Sequence, residues 1–132
     1  MYRKLIIVVA ALTSLSAAAT DTFSARRANA LKVERSSIGH GYLELFMPAT
    51  DKPTTALVAK CFPNGETGTV ERVSLVADIG PDGSFLNVEV QPLNPRSKCY
   101  ADGFSELKAP PPPEQFAKSG FPIAVDTSID YK

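Results

Sequence analysis

The sequence predicts an α+β fold in which a small antiparallel sheet packs against one or two short helices. Two observations predict the sheet. Residues 70–90 form two arms rich in Val, Leu and Phe around a four-residue turn, and residues 122–131 alternate between apolar and polar side chains. A third observation predicts a helix, because Ser97 can cap a segment with apolar residues at helical spacing. The core elements therefore follow the order β-β-α-β.

The central hairpin is predicted from its turn, Gly80-Pro81-Asp82-Gly83. Pro81 presets φ, Asp82 can accept hydrogen bonds from the nearby backbone, and glycine tolerates positive φ. The first arm has the period of two that is typical of a sheet exposed to water on one face. Its apolar face consists of Val73, Leu75, Ala77 and Ile79. Two strands alone are not stable, so the rest of the chain must complete or cover this hairpin.

The N-terminus is typical of a signal peptide. Arg3 and Lys4 precede an apolar run, Leu5–Ala19, that ends in three alanines and so in a small-x-small cleavage pattern. The run of about 15 residues is short for a membrane span, which needs roughly 20. We expect residues 1–19 to be removed and the mature chain to begin near Thr20; an uncleaved membrane anchor is the alternative.

The expected export and the net charge of the mature chain limit the compartment and the kinds of partner. The 132-residue chain is 44% hydrophobic, which suits one small domain. Loss of Arg3 and Lys4 with the signal leaves 12 basic against 14 acidic residues, a net charge of about −2. A nucleic-acid partner is therefore not expected. We expect a periplasmic protein, with inner-membrane anchoring or secretion as alternatives, and membrane contact only if residues 1–19 are retained.

The two cysteines, Cys61 and Cys99, are expected to pair, because an exported chain with two cysteines most simply forms one disulfide. The bridge closes a loop of about 39 residues, which is worth roughly 4 kcal/mol on the chain-entropy model. A catalytic thiol is the alternative. The single histidine, His40, lies between two glycines in an expected turn.

Residues 20–54 are interpreted as an N-terminal extension that contains a second hairpin. Residues 20–30 are polar and predict a flexible leader or the approach to a strand. Short strands are expected at 31–35 and 42–47, around a turn at 36–41, and a loop is expected at 48–53.

Two helices are expected on either side of the central hairpin. Thr54 and Thr55 can cap a short helix that leads to Cys61, although a strand is also compatible with these residues. The second helix is expected from Ser97 to about Lys108, with Tyr100, Phe104 and Leu107 on one face. Gly103 should weaken that helix by about 1 kcal/mol relative to alanine.

The C-terminal part combines a proline run with a final strand. Pro110–Pro113 is interpreted as a stiff connector, with a docking ligand for an aromatic groove as the alternative. The strand that follows should end the sheet. Its apolar face consists of Ile123, Val125, Thr127, Ile129 and Tyr131, and its polar face of Ala124, Asp126, Ser128 and Asp130.

These elements resemble the C-terminal domain of the TonB and TolA energy-transducing proteins over residues 55–132. The matching segments are 79–85 at the hairpin turn, Cys99 on the helix, 109–113 in the proline run, and 121–123 at the start of the last strand. The resemblance is to the cysteine-containing members, and it implies a disulfide between Cys61 and Cys99 that pins the helix to the rest of the domain. Residues 31–47 have no counterpart in the family.

The resemblance implies a protein-interaction module that binds an envelope protein or peptide segment by strand addition, in which the partner joins the sheet through main-chain hydrogen bonds. The last strand is commonly the exposed edge in the family. The implied binding residues are Ile123, Val125, Asp126, Thr127, Ser128, Ile129 and Tyr131. Because no long spacer precedes the domain, energy transduction is not part of the expectation. The alternative is an envelope scaffold or small-ligand-binding protein without a transducer role.

No arrangement of residues predicts catalysis, a metal site or a cofactor. The chain has one histidine, no cluster of His, Cys and Asp at metal-ligand spacing, and no phosphate-binding glycine loop. Asp78 and Asp82 form an acid pair near the turn, where aspartate is expected for structural reasons; a two-carboxylate glycosidase is the enzymatic alternative. We expect a protein that is not an enzyme.

Overall fold

The computed structural model describes residues 22–132 as an α+β fold, with three helices and a three-stranded antiparallel sheet. In chain order the elements are α1 (Phe23–Arg35), α2 (Ser37–Cys61), β1 (Val70–Ile79), β2 (Phe85–Gln91), α3 (Pro95–Ser105), a 3₁₀ turn (Glu114–Phe116) and β3 (Phe121–Asp130). The expected signal peptide lies outside the described residues. Within residues 22–132, no helix combines the length and apolar character needed to cross a membrane.

The sheet has the strand order β2-β1-β3, so β1 is central and both other strands are edges. The predicted hairpin is confirmed: the amide of Gly83 donates to the carbonyl of Gly80 at 2.9 Å, and Gly83 has a φ of 84°. Asp82 accepts hydrogen bonds from the amide and the hydroxyl of Ser84. These bonds, with help from Lys108, lower the pKa of Asp82 to about 2.

The two faces of the sheet are covered by different helices. One face of β1 carries Leu75 and Ile79, both fully buried beneath α2 and α3. Aromatic rings fill this side of the sheet, with Phe85 4.8 Å from Phe104 and Phe121 4.5 Å from Tyr42 between ring centroids. On the opposite face α1 covers the part around Val76, which is buried, and Asp78, which Arg26 binds. Helix α1 and helix α2 therefore lie on opposite sides of the sheet.

The expected hairpin at residues 31–35 and 42–47 is wrong, as is the flexible leader or strand approach at 20–30 from Phe23 onward. These residues form α1 and the first half of α2, separated by Ser36 alone. Ser36 caps α2, because its hydroxyl accepts from the amide of Gly39 at 3.1 Å. Gly39 permits a close approach of the two helices, since a Cβ there would lie 1.9 Å from the carbonyl oxygen of Val33.

The expected loop at 48–53 is also wrong, because α2 continues through Pro48 and Pro53. Each proline removes one helical hydrogen bond, a cost that normally ends a helix. Here the helix is stabilised by burial of its inner side, where Tyr42 and Phe46 are each 3% exposed. The helix expected from Thr54 to Cys61 is confirmed but begins at Ser37. The expected boundary between residues 54 and 55 consequently falls inside α2.

Helix α3 is confirmed with different ends. Asn94 is the N-cap, and its side chain accepts from the amide of Ser97 at 2.9 Å while the Ser97 hydroxyl accepts from the amide of Asn94. This reciprocal pair is a capping box, with Pro95 in the first turn. Tyr100 and Phe104 are buried, as expected. The helix ends at Ser105, and Lys108 forms an isolated bridge with Ser84 beside the hairpin turn.

A disulfide between Cys61 and Cys99 joins the end of α2 to α3, as expected, with a Cα–Cα distance of 5.6 Å. After α3, the proline run is extended and packs against the domain: the Tyr42 hydroxyl donates to the carbonyl of Pro110 at 2.8 Å. Burial of this hydroxyl raises the pKa of Tyr42 to about 12. The run connects α3 to β3, which agrees with its interpretation as a connector.

Candidate functional site: the outer edge of strand β3

The residues expected to form the binding edge all lie in β3 or directly after it. Their predicted alternation is confirmed, because Ile123 and Ile129 are buried on the side of α2 and α3, while Asp126 and Ser128 are exposed. Three members on the inner side are half-buried: Val125, Thr127 and Tyr131. The inward side chains therefore pack in the core. A partner can contact β3 only through its main chain and through the outer face of the sheet, which is the face that carries Asp126 and Ser128.

Thr127 and Tyr131 are both held by the body of the domain. The Thr127 hydroxyl lies 3.2 Å from the hydroxyl of Tyr100. The Tyr131 hydroxyl donates to the carboxylate of Glu71 at 2.6 Å, and this hydrogen bond raises the pKa of Tyr131. Arg96 binds the same carboxylate at 2.9 Å. These contacts fix the C-terminal end of β3 against α3 and β1.

Among the strands of residues 22–132, the main chain of β3 has a paired side, toward β1, and a side without a neighbouring strand. The amide of Tyr131 donates to Thr69 and its carbonyl accepts from Gly68, so the polar groups of Tyr131 point toward β1. Antiparallel pairing alternates along a strand. It follows that the odd-numbered residues of β3 bond β1, whereas Ala124, Asp126 and Ser128 direct their N–H and C=O groups outward. Pro122 has an outward position too, where proline is tolerated because no ladder donor is needed.

The two edges of the sheet differ in regularity. β3 pairs with β1 over all ten of its residues without a shift in register. β2 contains a bulge opposite the stretch between Val76 and Asp78, and Asn87 has a φ of 52° there. Bulges twist an edge and interrupt its hydrogen-bonding row, which protects it from pairing. The β3 edge is thus the better template for an added strand.

Helix α1 is attached to the outer face of the sheet by two arginines. Arg26, whose side chain is 12% exposed, binds Glu89 at 2.9 Å and Asp78 at 3.5 Å. Arg27 binds Asp126 of β3, which also accepts from the Ser74 hydroxyl. The hydrogen bond from Arg27 lowers the pKa of Asp126. The pair that precedes the apolar part of α1 is therefore an anchor for the helix.

An apolar groove runs beside the first half of the β3 edge. We call it the edge groove and define it by the residues that line it from three elements. Its volume is about 350 Å³. Its lining comprises Ala30, Leu31 and Glu34 of α1; Leu43, Phe46, Met47, Thr50, Asp51 and Thr54 of α2; Phe104; and residues 121–126 of β3. In the edge groove, α1 thus lies on one side of the outward main-chain groups of Ala124 and Asp126, and α2 lies on the other side.

The edge groove is acidic as well as apolar. Among residues 22–132, its lining contains three carboxylates, of Glu34, Asp51 and Asp126, and no lysine, arginine or histidine. Asp126 is occupied by Arg27, but among the described residues Glu34 and Asp51 take part in no ion pair. Met47 is 63% exposed beside the groove. Such a site can pair with a main chain, cover apolar side chains and attract positive charge.

Residues 22–132 contain no candidate metal site, because no three His, Cys, Asp or Glu side chains lie close enough together to hold an ion. His40 is exposed and lies 3.5 Å from Glu44 on the surface of α2. Asp78 and Asp82 are engaged separately, by Arg26 and by Ser84 with Lys108.

The groove residues on α1 and α2 were not found by sequence reasoning, because short strands and a loop were expected there. A helical signal was present in the sequence. Gly39, Tyr42, Phe46 and Thr50 are the buried residues of the first half of α2, and they are separated by three or four positions. The alternation of Tyr42, Glu44 and Phe46 with Leu43, Leu45 and Met47 gives a strand pattern with three apolar residues on one face, and it masked the helical spacing.

In comparisons with protein-family models, curated proteins and solved structures, nothing matches this chain. Fold and site together define an α+β domain with one regular, unpaired sheet edge bordered by an acidic, apolar groove.

Proposed function

We propose that this protein is an exported, periplasmic protein-interaction module that binds an extended segment of an envelope protein by strand addition to β3. One observation carries the proposal. The β3 edge is regular over ten residues and has outward N–H and C=O groups, whereas the opposite edge of the sheet is bulged. The likeness to the TonB and TolA C-terminal domains belongs to the same proposal.

Export is supported by the disulfide, since such bonds persist in oxidising compartments. The expected cleavage near Thr20 is tested by the intact mass of the protein extracted from the cell envelope. A mass that includes residues 1–19, recovered from the membrane fraction, would replace the periplasmic proposal with an anchored one.

Strand addition is tested by site-specific photo-crosslinking in living cells. A photoreactive residue replaces Ser128 in one variant and Gln91 of β2 in the other, since both side chains are exposed on the same face of the sheet. The proposal expects a discrete crosslinked envelope protein from position 128 and none from position 91. Equal crosslinking from both positions would contradict a preference for the β3 edge.

A small-ligand-binding protein is the second candidate, and one observation favours it. The edge groove has a volume of about 350 Å³, within the range of roughly 300–1,000 Å³ of small-molecule sites. Native mass spectrometry of the protein purified from the envelope separates the two candidates. A stoichiometric small molecule that is lost when Leu43 is replaced by a larger tryptophan would favour the ligand-binding function.

A further inference from the structure

We infer that the edge groove selects its partner by charge, and that it takes an extended peptide segment with apolar side chains and lysine or arginine on both of its faces. The inference rests on the proposed strand addition and specifies the partner that this edge accepts. It goes beyond the TonB and TolA likeness, because both helices of the groove lie in the part of the chain that is outside the likeness or bridges its start.

The geometry of the sheet decides where the side chains of such a segment lie. An added strand lies about 4.8 Å from β3, and its successive side chains point to opposite faces of the sheet. Helix α1 is on one face and α2 is on the other, as their contacts with Asp126 and with Phe121 demonstrate. Alternate side chains of the segment therefore meet α1 and α2 in turn.

Each helix presents the same chemistry to the segment. α1 contributes Leu31 and Glu34, and α2 contributes Met47 and Asp51, so that each side has an apolar contact and one carboxylate. Glu34 and Asp51 have no ionic partner among the described residues, and no basic side chain lines the groove. A cation on each face of the segment supplies the missing charge, while an acidic segment meets repulsion on both sides.

The main chain completes the recognition. Ala124 and Asp126 offer outward N–H and C=O groups on the floor of the groove, as deduced from the bonds of Tyr131. Residues 121–126 span about 17 Å at 3.4 Å per residue, which matches a strand of about six residues. The groove is thus long enough for a segment that carries at least two side chains toward each helix.

The test uses the purified protein and synthetic, fluorescently labelled peptides of about eight residues, slightly longer than a typical strand. Each peptide is built from valine and threonine, with two adjacent positions occupied by lysine, by glutamine or by glutamate. Adjacent positions place one charge on each face of the strand. Fluorescence anisotropy at about 0.15 M salt, where the Debye length is about 8 Å, measures the dissociation constants.

We expect the lysine peptide to bind at least about tenfold more tightly than the glutamate peptide, with the glutamine peptide between them. Glu34→Gln and Asp51→Asn should each weaken the lysine peptide by about threefold. Glu106→Gln is the matched control, since Glu106 is exposed at the end of α3 and does not line the groove. Glu34→Lys should raise the affinity for the glutamate peptide, which a general loss of folding would not do.

Equal affinities for the lysine and glutamate peptides, or losses in Glu106→Gln as large as those in Glu34→Gln, would overturn the inference. Peptides with N-methyl groups on alternate residues test strand addition separately. Methylation of one alternate set of residues should abolish binding and methylation of the other set should not, because only one set of N–H groups faces β3. If neither set weakens binding, strand addition itself is wrong. If one set matters but the charge of the peptide does not, the proposed function stands and the charge selection is wrong.

Discussion

The Arg27 guanidinium binds both oxygens of the Asp126 carboxylate, with its Nε 3.3 Å from Oδ1 and its terminal nitrogen 2.5 Å from Oδ2. This ion pair joins α1 to β3 across the outer face of the sheet. It holds one wall of the edge groove against the strand whose free edge forms the floor. The stability of α1 and the shape of the candidate site are therefore coupled.

The first prediction concerns the acid sensitivity of this pair. The folded state lowers the pKa of Asp126, so its contribution to stability is present above the ordinary value of 3.8 and is lost as the pH falls through the lower folded value. Asp126→Asn should lower the free energy of unfolding at pH 7 by about 0.2–1 kcal/mol, the range for exposed ion pairs. Urea denaturation at pH 7 and at strongly acidic pH measures the difference, which should vanish in acid.

Asp130→Asn is the control for this prediction, because it removes the same charge from an exposed position at the end of β3. A loss of stability in Asp130→Asn equal to that in Asp126→Asn would assign the effect to net charge and not to the bond with Arg27.

The second prediction concerns the disulfide between Cys61 and Cys99. Its removal in a Cys61→Ser, Cys99→Ser double variant should lower the free energy of unfolding by about 2–4 kcal/mol, because the unfolded chain regains the entropy of the open loop. The melting temperature should then fall by roughly 10 °C. Differential scanning calorimetry checks the stability, and a thiol-reactive label should modify neither cysteine in the native protein. Labelling of both would show that the thiols are free.

The third prediction separates strand pairing from folding by means of adjacent proline substitutions. Ser128 directs its N–H outward and Thr127 directs its N–H toward Val73 of β1. Ser128→Pro should therefore keep the fold and abolish partner binding, whereas Thr127→Pro removes a ladder bond and should unfold the domain. Circular dichroism measures folding. Binding of the envelope partner is measured by crosslinking from a photoreactive residue at Asp130, which is exposed on the same face of β3, because position 128 carries the proline.

Two further substitutions on the same strand serve as controls. Ser128→Lys keeps the outward N–H and places the new side chain on the exposed face, so its effect on folding should be mild. Ile129→Asp places a charge at a core position that is 8% exposed and should unfold the domain. Partner binding that survives Ser128→Pro in a folded protein would move the binding site away from this half of β3.

The fourth prediction contrasts two helical glycines. Gly41 lies on the exposed side of α2 with no atom near the position of an added Cβ, so Gly41→Ala should stabilise the protein by about 1 kcal/mol through helix propensity. At Gly103 an added Cβ would lie 2.2 Å from a methyl group of Leu57. Gly103→Ala should therefore stabilise the protein by less than Gly41→Ala does, because the end of the Leu57 side chain must move to make room for the new methyl group.

Leu57→Ala supplies the test of this explanation, because it removes the methyl group that Gly103 accommodates. In that background Gly103→Ala should gain the full stabilisation of about 1 kcal/mol from helix propensity, and chemical denaturation of the four proteins gives the coupling energy. Independent effects of the two substitutions would rule out the contact between α2 and α3 as the cause.

The pairing of the cysteines was predicted from composition, because Cys61 and Cys99 are the only two cysteines of the chain. Local chemistry by itself determined the β-hairpin, helix α3 and the alternation of β3, each of which depends on short-range rules. The turn needs Gly83 at positive φ, the helix needs a polar N-cap, and β3 needs side chains that alternate between core and water. The N-cap is Asn94 and not Ser97, which the sequence had predicted. Both side chains can accept a hydrogen bond from the backbone, and Pro95 favours the earlier start.

The sequence pattern of residues 36–53 was ambiguous between strand and helix, and tertiary structure decided their conformation and, with it, the edge groove. Local propensity disfavours a helix at Pro48, Pro53, Gly39 and Gly41. The free energy that overrides it comes from burial of Tyr42 and Phe46 against the rings of Phe121 and Phe85 in the sheet. Such contacts join residues about 40 to 80 positions apart, beyond the reach of any local pattern. For the same reason the sequence predicted the strand that carries the proposed edge, while only the packed fold placed Glu34 and Asp51 beside it.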